Sequence, residues 1–168
     1  MTTQGEKTMP RTEYVIEPGK MDITTTTVID APRALVFKAY TDPKLFARWW
    51  GPRRYRADIE KFESRPGGEW SVAHVGEDGS RHAFRGVNHD VVAPERICQT
   101  FEYLGVPGHV ALQTATFEPL GDKTRITGQI VFQSVMDRDG MVASGMQSGA
   151  DESMERLGEL LDEMKSGK

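Results

Sequence analysis

The sequence predicts an α+β fold, in which a curved antiparallel sheet of about six or seven strands packs around one long C-terminal helix, with two short helices after the first strand. Segments rich in β-branched and aromatic residues follow one another along most of the chain, and the linkers between them are short and rich in Gly, Asp and Pro. Such linkers are typical of antiparallel hairpins. Helical periodicity occurs only over residues 32–50 and 137–168, so no helix separates the later strands as a parallel sheet would require.

The first strand and the two short helices come before the rest of the sheet. Residues 22–32 are rich in Thr, Val and Ile, which indicates a strand. The proline that ends this segment, Pro32, is a favourable first-turn residue for the helix that follows. Because the residue before a proline leaves the helical region, this helix is expected to end near Asp42. Asp42 can then cap a second short helix that stops at Gly51-Pro52.

The middle of the chain predicts a meander of strands. Alternating or β-branched segments lie at residues 55–64, 69–75, 81–92, 97–104, 109–119 and 123–133. The linker RPGG and the linker GEDGS are turn sequences, since glycine reaches backbone angles that other residues avoid. A phosphate-binding loop is not indicated, because a strand and not a helix follows the paired glycines.

The C-terminal segment, residues 137–168, predicts one long amphipathic helix. Its apolar side chains recur at steps of three and four and form a single stripe. The stripe consists of Met146, Ala150, Met154, Leu157, Leu161 and Met164. Acidic residues lie mainly off the stripe, which predicts a solvated outer face. Because the sheet must cover one apolar face, we expect this helix to pack on it and to leave space for an apolar ligand between them.

Length and composition indicate a cytoplasmic globular protein. The 168 residues are most simply one domain, with residues 1–12 as a flexible tail and residues 13–168 as the domain. The net charge of −4 gives no reason to expect nucleic acid, and no apolar run approaches the length of a membrane span. Cys98 is the only cysteine, which excludes an internal disulfide and fits a reducing compartment.

A doubled tryptophan, Trp49 and Trp50, ends the second short helix. Adjacent helical positions lie about 100° apart, so the two indoles cannot face the same way. Leu45 and Phe46 are the helical neighbours of Trp49. We therefore expect one indole in the core and the other at the edge, near the mouth of a cavity, and we expect Trp49 to be the one that faces the cavity.

Several segments together resemble the SRPBCC superfamily, also called START-like or helix-grip, and within it the branch named for the activator of heat-shock protein 90 ATPase. The most specific segment is IDAPRALVFKAYTDPKLFARWWGP, in which the apolar spacing, the Asp-Pro break and the Trp-Trp-Gly-Pro corner all agree. Weaker matches are RPGGEW, GVNHDVVAPERICQTFEY, TATFEPLGDKTRIT and ESMERLGELL. The resemblance extends over residues 22–164.

The resemblance implies a helix-grip fold with a deep cavity between the sheet and the C-terminal helix. It does not fix an activity, because the superfamily includes lipid carriers, hormone receptors, polyketide cyclases and co-chaperone domains. The first hypothesis is binding of a small hydrophobic or amphipathic ligand in the cavity. One alternative is a co-chaperone-like domain that stimulates a chaperone ATPase, although a full activator needs a further chaperone-binding domain for which 168 residues leave no room. The other is a cyclase- or hydrolase-like enzyme that uses the cavity.

The candidate cavity residues follow from strand alternation and from the helix stripe. Trp70 and His74 share one strand face, and this bulkier face is expected to point towards the helix. Gln113 shares a face with Ala115, which leaves room beside an orienting amide. The predicted ligand-cavity residues are Trp49, Trp70, His74, Gln99, Phe101, Gln113 and Met146. For the two glutamines, a position facing water is the open alternative.

No catalytic constellation is visible in the sequence. The four histidines lack metal-ligand spacing, and there is neither a nucleophile elbow nor a Cys/His pair that the sequence can place together. The sequence therefore predicts no catalytic residue, no metal and no cofactor. In an enzyme, His74 or Glu69 would act as the acid or base, a role that needs a placed partner and a shifted pKa.

A short basic run follows the tryptophans. Arg53, Arg54 and Arg56 alternate with Tyr55, but the chain is acidic overall and no RNA-binding motif accompanies them. A ligand carboxylate or the acidic residues of a partner chain would suit these arginines better. The expected partner of the protein is a small apolar or amphipathic molecule. A homodimer is also open, and neither nucleic acid nor membrane insertion is expected.

Overall fold

The framework is an antiparallel sheet, seen in a computed structural model that describes residues 9–167. Its strands are β1 Thr12–Val15, β2 Asp22–Ile29, β3 Tyr55–Phe62, β4 Glu69–Gly76, β5 Arg81–Val92, β6 Arg96–Tyr103, β7 Val110–Leu120 and β8 Lys123–Val131. The helices are α1 Arg33–Thr41, α2 Pro43–Trp49, α3 Val135–Ala143 and α4 Met146–Lys165. The eight strands of the described residues run in the order β1-β2-β8-β7-β6-β5-β4-β3. The α+β class predicted from the sequence is confirmed.

The structure contains one strand more than the sequence predicts. β1 pairs antiparallel with β2, from Thr12 opposite Thr27 to Val15 opposite Thr24. It has only four residues, TEYV, and a run this short is too brief for alternation to stand out from the surrounding polar segment. Of the predicted tail, residues 1–8 lie outside the described residues, and its final residue, Thr12, begins β1.

The two short helices form as their capping residues predict. The carboxylate of Asp42 accepts hydrogen bonds from the backbone N–H groups of Lys44, at 2.9 Å, and Leu45, at 3.5 Å. These bonds pair backbone donors that the start of a helix leaves free. At its other end α2 stops before Gly51, which adopts φ of +97°. Glycine enters this left-handed region at little steric cost, so the chain can turn sharply into β3.

The C-terminal helical segment is broken in two, where the sequence predicts one continuous helix. Gly145 adopts φ of +86°, which interrupts helical geometry between α3 and α4. Ser134 caps α3 by accepting a hydrogen bond at 3.0 Å from the backbone N–H of Asp137. The long helix is therefore α4 alone, with 20 residues.

The hydrophobic core lies between the sheet and helices α1, α2 and α4. The second half of α4 closes against it with Leu157, Leu160 and Leu161, which are all buried. A smaller cluster of Ile23, Ala111 and Phe132 packs beneath α3. The first half of α4 contributes only Ser153 to the buried residues, and the cavity lies beneath this half.

Candidate functional site

A cavity of about 250 Å³ lies between the sheet and the first half of α4. At about 30 Å³ per water molecule, this is the space of about eight waters. From α4 it is lined by Met146, Ala150, Ser153 and Met154. It is thus large enough for a small organic molecule and lies where a ligand would be held between sheet and helix.

The space exists because three neighbouring strands present small side chains at the same level. Thr25 of β2 lies opposite Gly128 of β8, and Gly128 lies opposite Ala115 of β7. All three residues line the cavity. A Cβ atom at position 128 would come within 2.6 Å of the Thr25 hydroxyl oxygen, so glycine permits this close approach. The floor of the cavity is therefore set by side-chain volume.

Aromatic side chains form the wall at the α1 and α2 side of the cavity. The wall consists of Tyr40, Phe46, Trp49, Trp50, Phe62 and Trp70. Ring centroids of Phe46 and Trp49 lie 5.2 Å apart, and those of Phe46 and Phe62 lie 4.9 Å apart. Such ring packing gives the wall a fixed shape that would complement a flat or bulky apolar molecule.

The two tryptophans divide as the sequence predicts, with one in the core and one at its edge. Trp49 is 2% exposed, and its indole N–H donates a hydrogen bond at 3.0 Å to the carbonyl oxygen of Ala39. Trp50 is half-buried, and its ring centroid lies 4.5 Å from that of His74 and 5.3 Å from that of Phe84. Both residues line the cavity, although the sequence assigned this position to Trp49, so the wall uses both.

The corner after the tryptophans is held by α4. The backbone N–H of Gly51 donates to the hydroxyl of Ser153 at 2.8 Å. The guanidinium of Arg156 donates to the carbonyl oxygens of Gly51, at 2.7 Å, and Arg48, at 2.8 Å. These bonds pair backbone groups that the end of α2 leaves free. Helix α4 thus fixes the position of the aromatic wall relative to the cavity.

We predict that Ser153→Ala lowers the free energy of unfolding by about 1–2 kcal/mol, because it leaves the buried N–H of Gly51 without a partner. Urea denaturation measures the change. Ser148→Ala is the matched control, since Ser148 is exposed on the same helix and should change stability by less than about 0.5 kcal/mol. Equal effects for the two substitutions would contradict the role assigned to Ser153.

One arginine of the basic run, Arg53, pairs with acidic residues of its own chain. Arg53 donates two hydrogen bonds, each of 3.0 Å, to the carboxylate of Glu159 on α4. Arg48 pairs with Glu163 on the same helix. Arg54 lies over the ring of Tyr55 at 4.8 Å. Sequence patterns could not show the two ion pairs with α4, because more than a hundred residues separate the partners, as in the Arg53–Glu159 pair.

A row of three amide side chains crosses the cavity side of the sheet. Asn88 of β5 lies opposite Gln99 of β6, which lies opposite Gln113 of β7, and all three line the cavity. The Nε2 group of Gln99 donates to Oε1 of Gln113 at 3.3 Å. The Nδ2 group of Asn88 donates to the carbonyl oxygen of Glu63 at 2.7 Å. We call these three residues the amide row.

The structure brings most of the predicted cavity residues together. Those that line the cavity are Trp49, Trp70, Gln99, Gln113 and Met146. His74 and Phe101 do not line it. Phe101 packs between Trp70, at 6.0 Å, and Phe84, at 5.4 Å. Sequence reasoning did not single out Asn88 or the Thr25–Gly128 pair, whose cavity positions depend on strand register and not on residue type.

His74 occupies a closed aromatic setting beyond the end of the cavity. It is 7% exposed, stacks parallel to Tyr55 at 5.8 Å, and has no hydrogen-bond partner for its Nε2 atom among the described residues. A Cβ atom at position 51 would clash with its ring, so Gly51 and His74 are packed against each other. Burial, with the positive charges of Arg156 and His82, lowers the pKa of His74 to about 4.

Neither His74 nor Glu69, the two side chains considered as acid or base, lines the cavity. Glu69 is exposed and pairs with Lys61 at the start of β4. His74 is neutral at pH 7 because of its lowered pKa, and it does not reach the cavity space. Within residues 9–167, no three His, Cys, Asp or Glu side chains are grouped so that they could hold a metal ion. These positions give no support to the acid–base role suggested for His74 or Glu69.

The curved antiparallel sheet, the long C-terminal helix and the cavity between them define the helix-grip class of domains. The chain belongs to the family described as "Activator of Hsp90 ATPase homolog 1-like protein", whose model matches residues 30–162. The resemblance inferred from the sequence is thereby confirmed. No helix among the described residues is both long and apolar enough to cross a membrane.

Solved structures with the same fold are numerous. A protein from Arthrobacter aurescens, solved by NMR, has a TM-score of 0.83 and 25% identity, covering 90% of this chain and 91% of its own. A Rhodobacter sphaeroides protein has a TM-score of 0.82 and 21% identity, covering 90% and 97%. DynU16, a protein from the dynemicin biosynthetic locus, has a TM-score of 0.61 and 18% identity, covering 89% of this chain and 49% of its own. No curated protein matches the sequence.

Proposed function

We propose that the protein binds a small hydrophobic or amphipathic molecule in the cavity between the sheet and α4. The observation that supports this function best is the cavity itself, about 250 Å³ in volume, with the aromatic wall at one side and the amide row at another. A cavity of this size forfeits the contacts that side chains filling it would make, so its retention needs a reason. Binding of a ligand would supply that reason.

The shape of the cavity supports the same proposal. Its floor is the small-residue row of Thr25, Gly128 and Ala115, where larger side chains would have filled the space. The chain also belongs to a superfamily whose fold is used in general for ligand binding. The cytoplasm is the compartment we propose for this activity, in keeping with the single cysteine.

Filling the cavity tests the proposal directly. Ala115→Leu adds three carbon atoms on the floor, and we expect it to lower affinity for 2-naphthol, a small neutral aromatic probe, by at least about tenfold. The free energy of unfolding should hold or rise, since the new side chain occupies existing space. Calorimetry and the fluorescence of the probe measure binding, and urea denaturation measures stability.

Thr116→Leu is the matched control, because the adjacent residue on β7 points to the opposite face of the sheet. It should leave the affinity for 2-naphthol unchanged. If Ala115→Leu binds the probe as tightly as the parent chain, the probe does not occupy the cavity and the proposal fails. Absence of any binding by the parent chain, across neutral aromatic and short aliphatic alcohols and amides, would also overturn it.

A further inference from the structure

We propose that the cavity selects an uncharged ligand that carries both a hydrogen-bond donor and an acceptor on an apolar, ring-like frame, and that the amide row recognises this polar head. The inference rests on the proposed function, since it names the chemistry of the molecule that the cavity would hold. Three observations lead to it: the unpaired hydrogen-bond donors and acceptors of the amide row, the absence of charged side chains in the described lining, and the aromatic wall at the α1 and α2 side.

The amide row offers donors and acceptors that the protein itself leaves free. The bond from Gln99 to Gln113 uses one N–H and one carbonyl oxygen, so Oε1 of Gln99 and the Nε2 group of Gln113 have no hydrogen-bond partner among residues 9–167. The Oδ1 atom of Asn88 is likewise unused in the described structure, because its amide bonds Glu63 through Nδ2. Reversing both glutamine amides would exchange the atoms but would leave the same numbers of donors and acceptors.

The described lining of the cavity carries no charge that could neutralise an ionised ligand. Tyr40 is the only titratable side chain in its described lining, and burial raises the pKa of that hydroxyl, so it stays neutral at pH 7. The nearby guanidinium of Arg156 is already engaged with the carbonyl oxygens of Gly51 and Arg48. A carboxylate placed at the amide row could accept a hydrogen bond from the Nε2 group of Gln113, but it would also meet the oxygens of Asn88 and Gln99 and no cation. Burying such a charge unpaired is strongly unfavourable, whereas a neutral amide or hydroxyl would be paired.

Three probes that share the naphthalene ring system test separately the need for a polar head and the need for that head to be uncharged. 2-Naphthamide carries a neutral donor and acceptor, 2-naphthoate carries a charge, and naphthalene carries neither. By calorimetry at pH 7.5, we expect 2-naphthamide to bind at least about tenfold more tightly than either of the others, because a site that pairs a polar head rejects analogues that lack it or are charged. Naphthalene should bind measurably through the aromatic wall alone.

Substitutions in the amide row assign the preference to these side chains. Gln113→Leu and, separately, Gln99→Leu should each reduce the preference for 2-naphthamide over naphthalene to less than about threefold while naphthalene still binds, since leucine keeps the volume and removes the polar groups. Gln147→Leu, at an exposed position of α4, is the matched control and should keep the preference. Retained binding of naphthalene shows that a variant is folded.

The outcomes separate this inference from the proposed function. Equal or tighter binding of 2-naphthoate, or a preference for 2-naphthamide that survives either amide-row substitution, overturns the inference and leaves ligand binding standing. Equal binding of 2-naphthamide and naphthalene also overturns the inference and leaves the proposed function intact. If none of the three probes binds the parent chain, this inference is overturned, and the proposed function is then decided by the wider set of alcohols and amides named above.

Discussion

Truncation of Trp49 to alanine is expected to lower the free energy of unfolding by about 3–5 kcal/mol. The side chain is 2% exposed, packs against Tyr40 at 4.7 Å and Phe46 at 5.2 Å, and donates its indole N–H to Ala39. Alanine would leave a large void in the core and an unpaired carbonyl. Urea denaturation at pH 7.5 measures the loss, provided that the slope of the free energy of unfolding against urea concentration is the same in both proteins.

The neighbouring tryptophan provides the comparison. Trp50 is only half-buried, and no hydrogen bond of its indole N–H is found within residues 9–167. Trp50→Ala should therefore cost about 1–2 kcal/mol, less than the loss at Trp49. A loss at Trp50 equal to or greater than the loss at Trp49 would contradict the division of the pair into one core residue and one edge residue.

The features that sequence patterns can locate are those set by neighbours along the chain. Asp42 caps α2 because its carboxylate reaches backbone groups only two and three residues away. The division between Trp49 and Trp50 follows from the 100° step of a helix. Alternation placed Gln99 and Gln113 on the cavity side, since side chains two residues apart share a strand face.

The features that sequence missed depend on position along a strand or on contacts distant in the chain. His74 shares a strand face with Trp70, but four residues of strand carry it about 13 Å further along, to a place beneath Gly51. Asn88 joins the amide row just before an irregularity in the β5–β6 register, and alternation alone cannot locate such a shift. The bonds of Ser153 and Arg156 to Gly51 span about a hundred residues, which no local pattern encodes.

Protonation of His74 is expected to make the fold sensitive to mild acid. Its pKa is lowered from 6.5 to about 4 in the folded chain, first by burial and then by the charges of Arg156 and His82. Between these values the unfolded chain binds a proton that the folded chain does not. Stability is therefore fully present above pH 6.5 and falls as the pH is lowered towards 4, by about 3 kcal/mol from this residue.

His74→Phe isolates this contribution, because the phenyl ring can keep the contacts with Trp50, Tyr55 and Phe84 and cannot take up a proton. The free energy of unfolding, measured by urea denaturation from pH 7.5 to pH 4, should decrease by about 3 kcal/mol less in this variant than in the parent chain. His89→Gln, at an exposed position on β5, should retain the parent's dependence on pH. Carboxylates elsewhere contribute equally to all three proteins, so only the difference reports on His74. A parent and a His74→Phe variant with the same pH dependence would mean that the buried imidazole is charged without penalty, which its closed aromatic setting argues against.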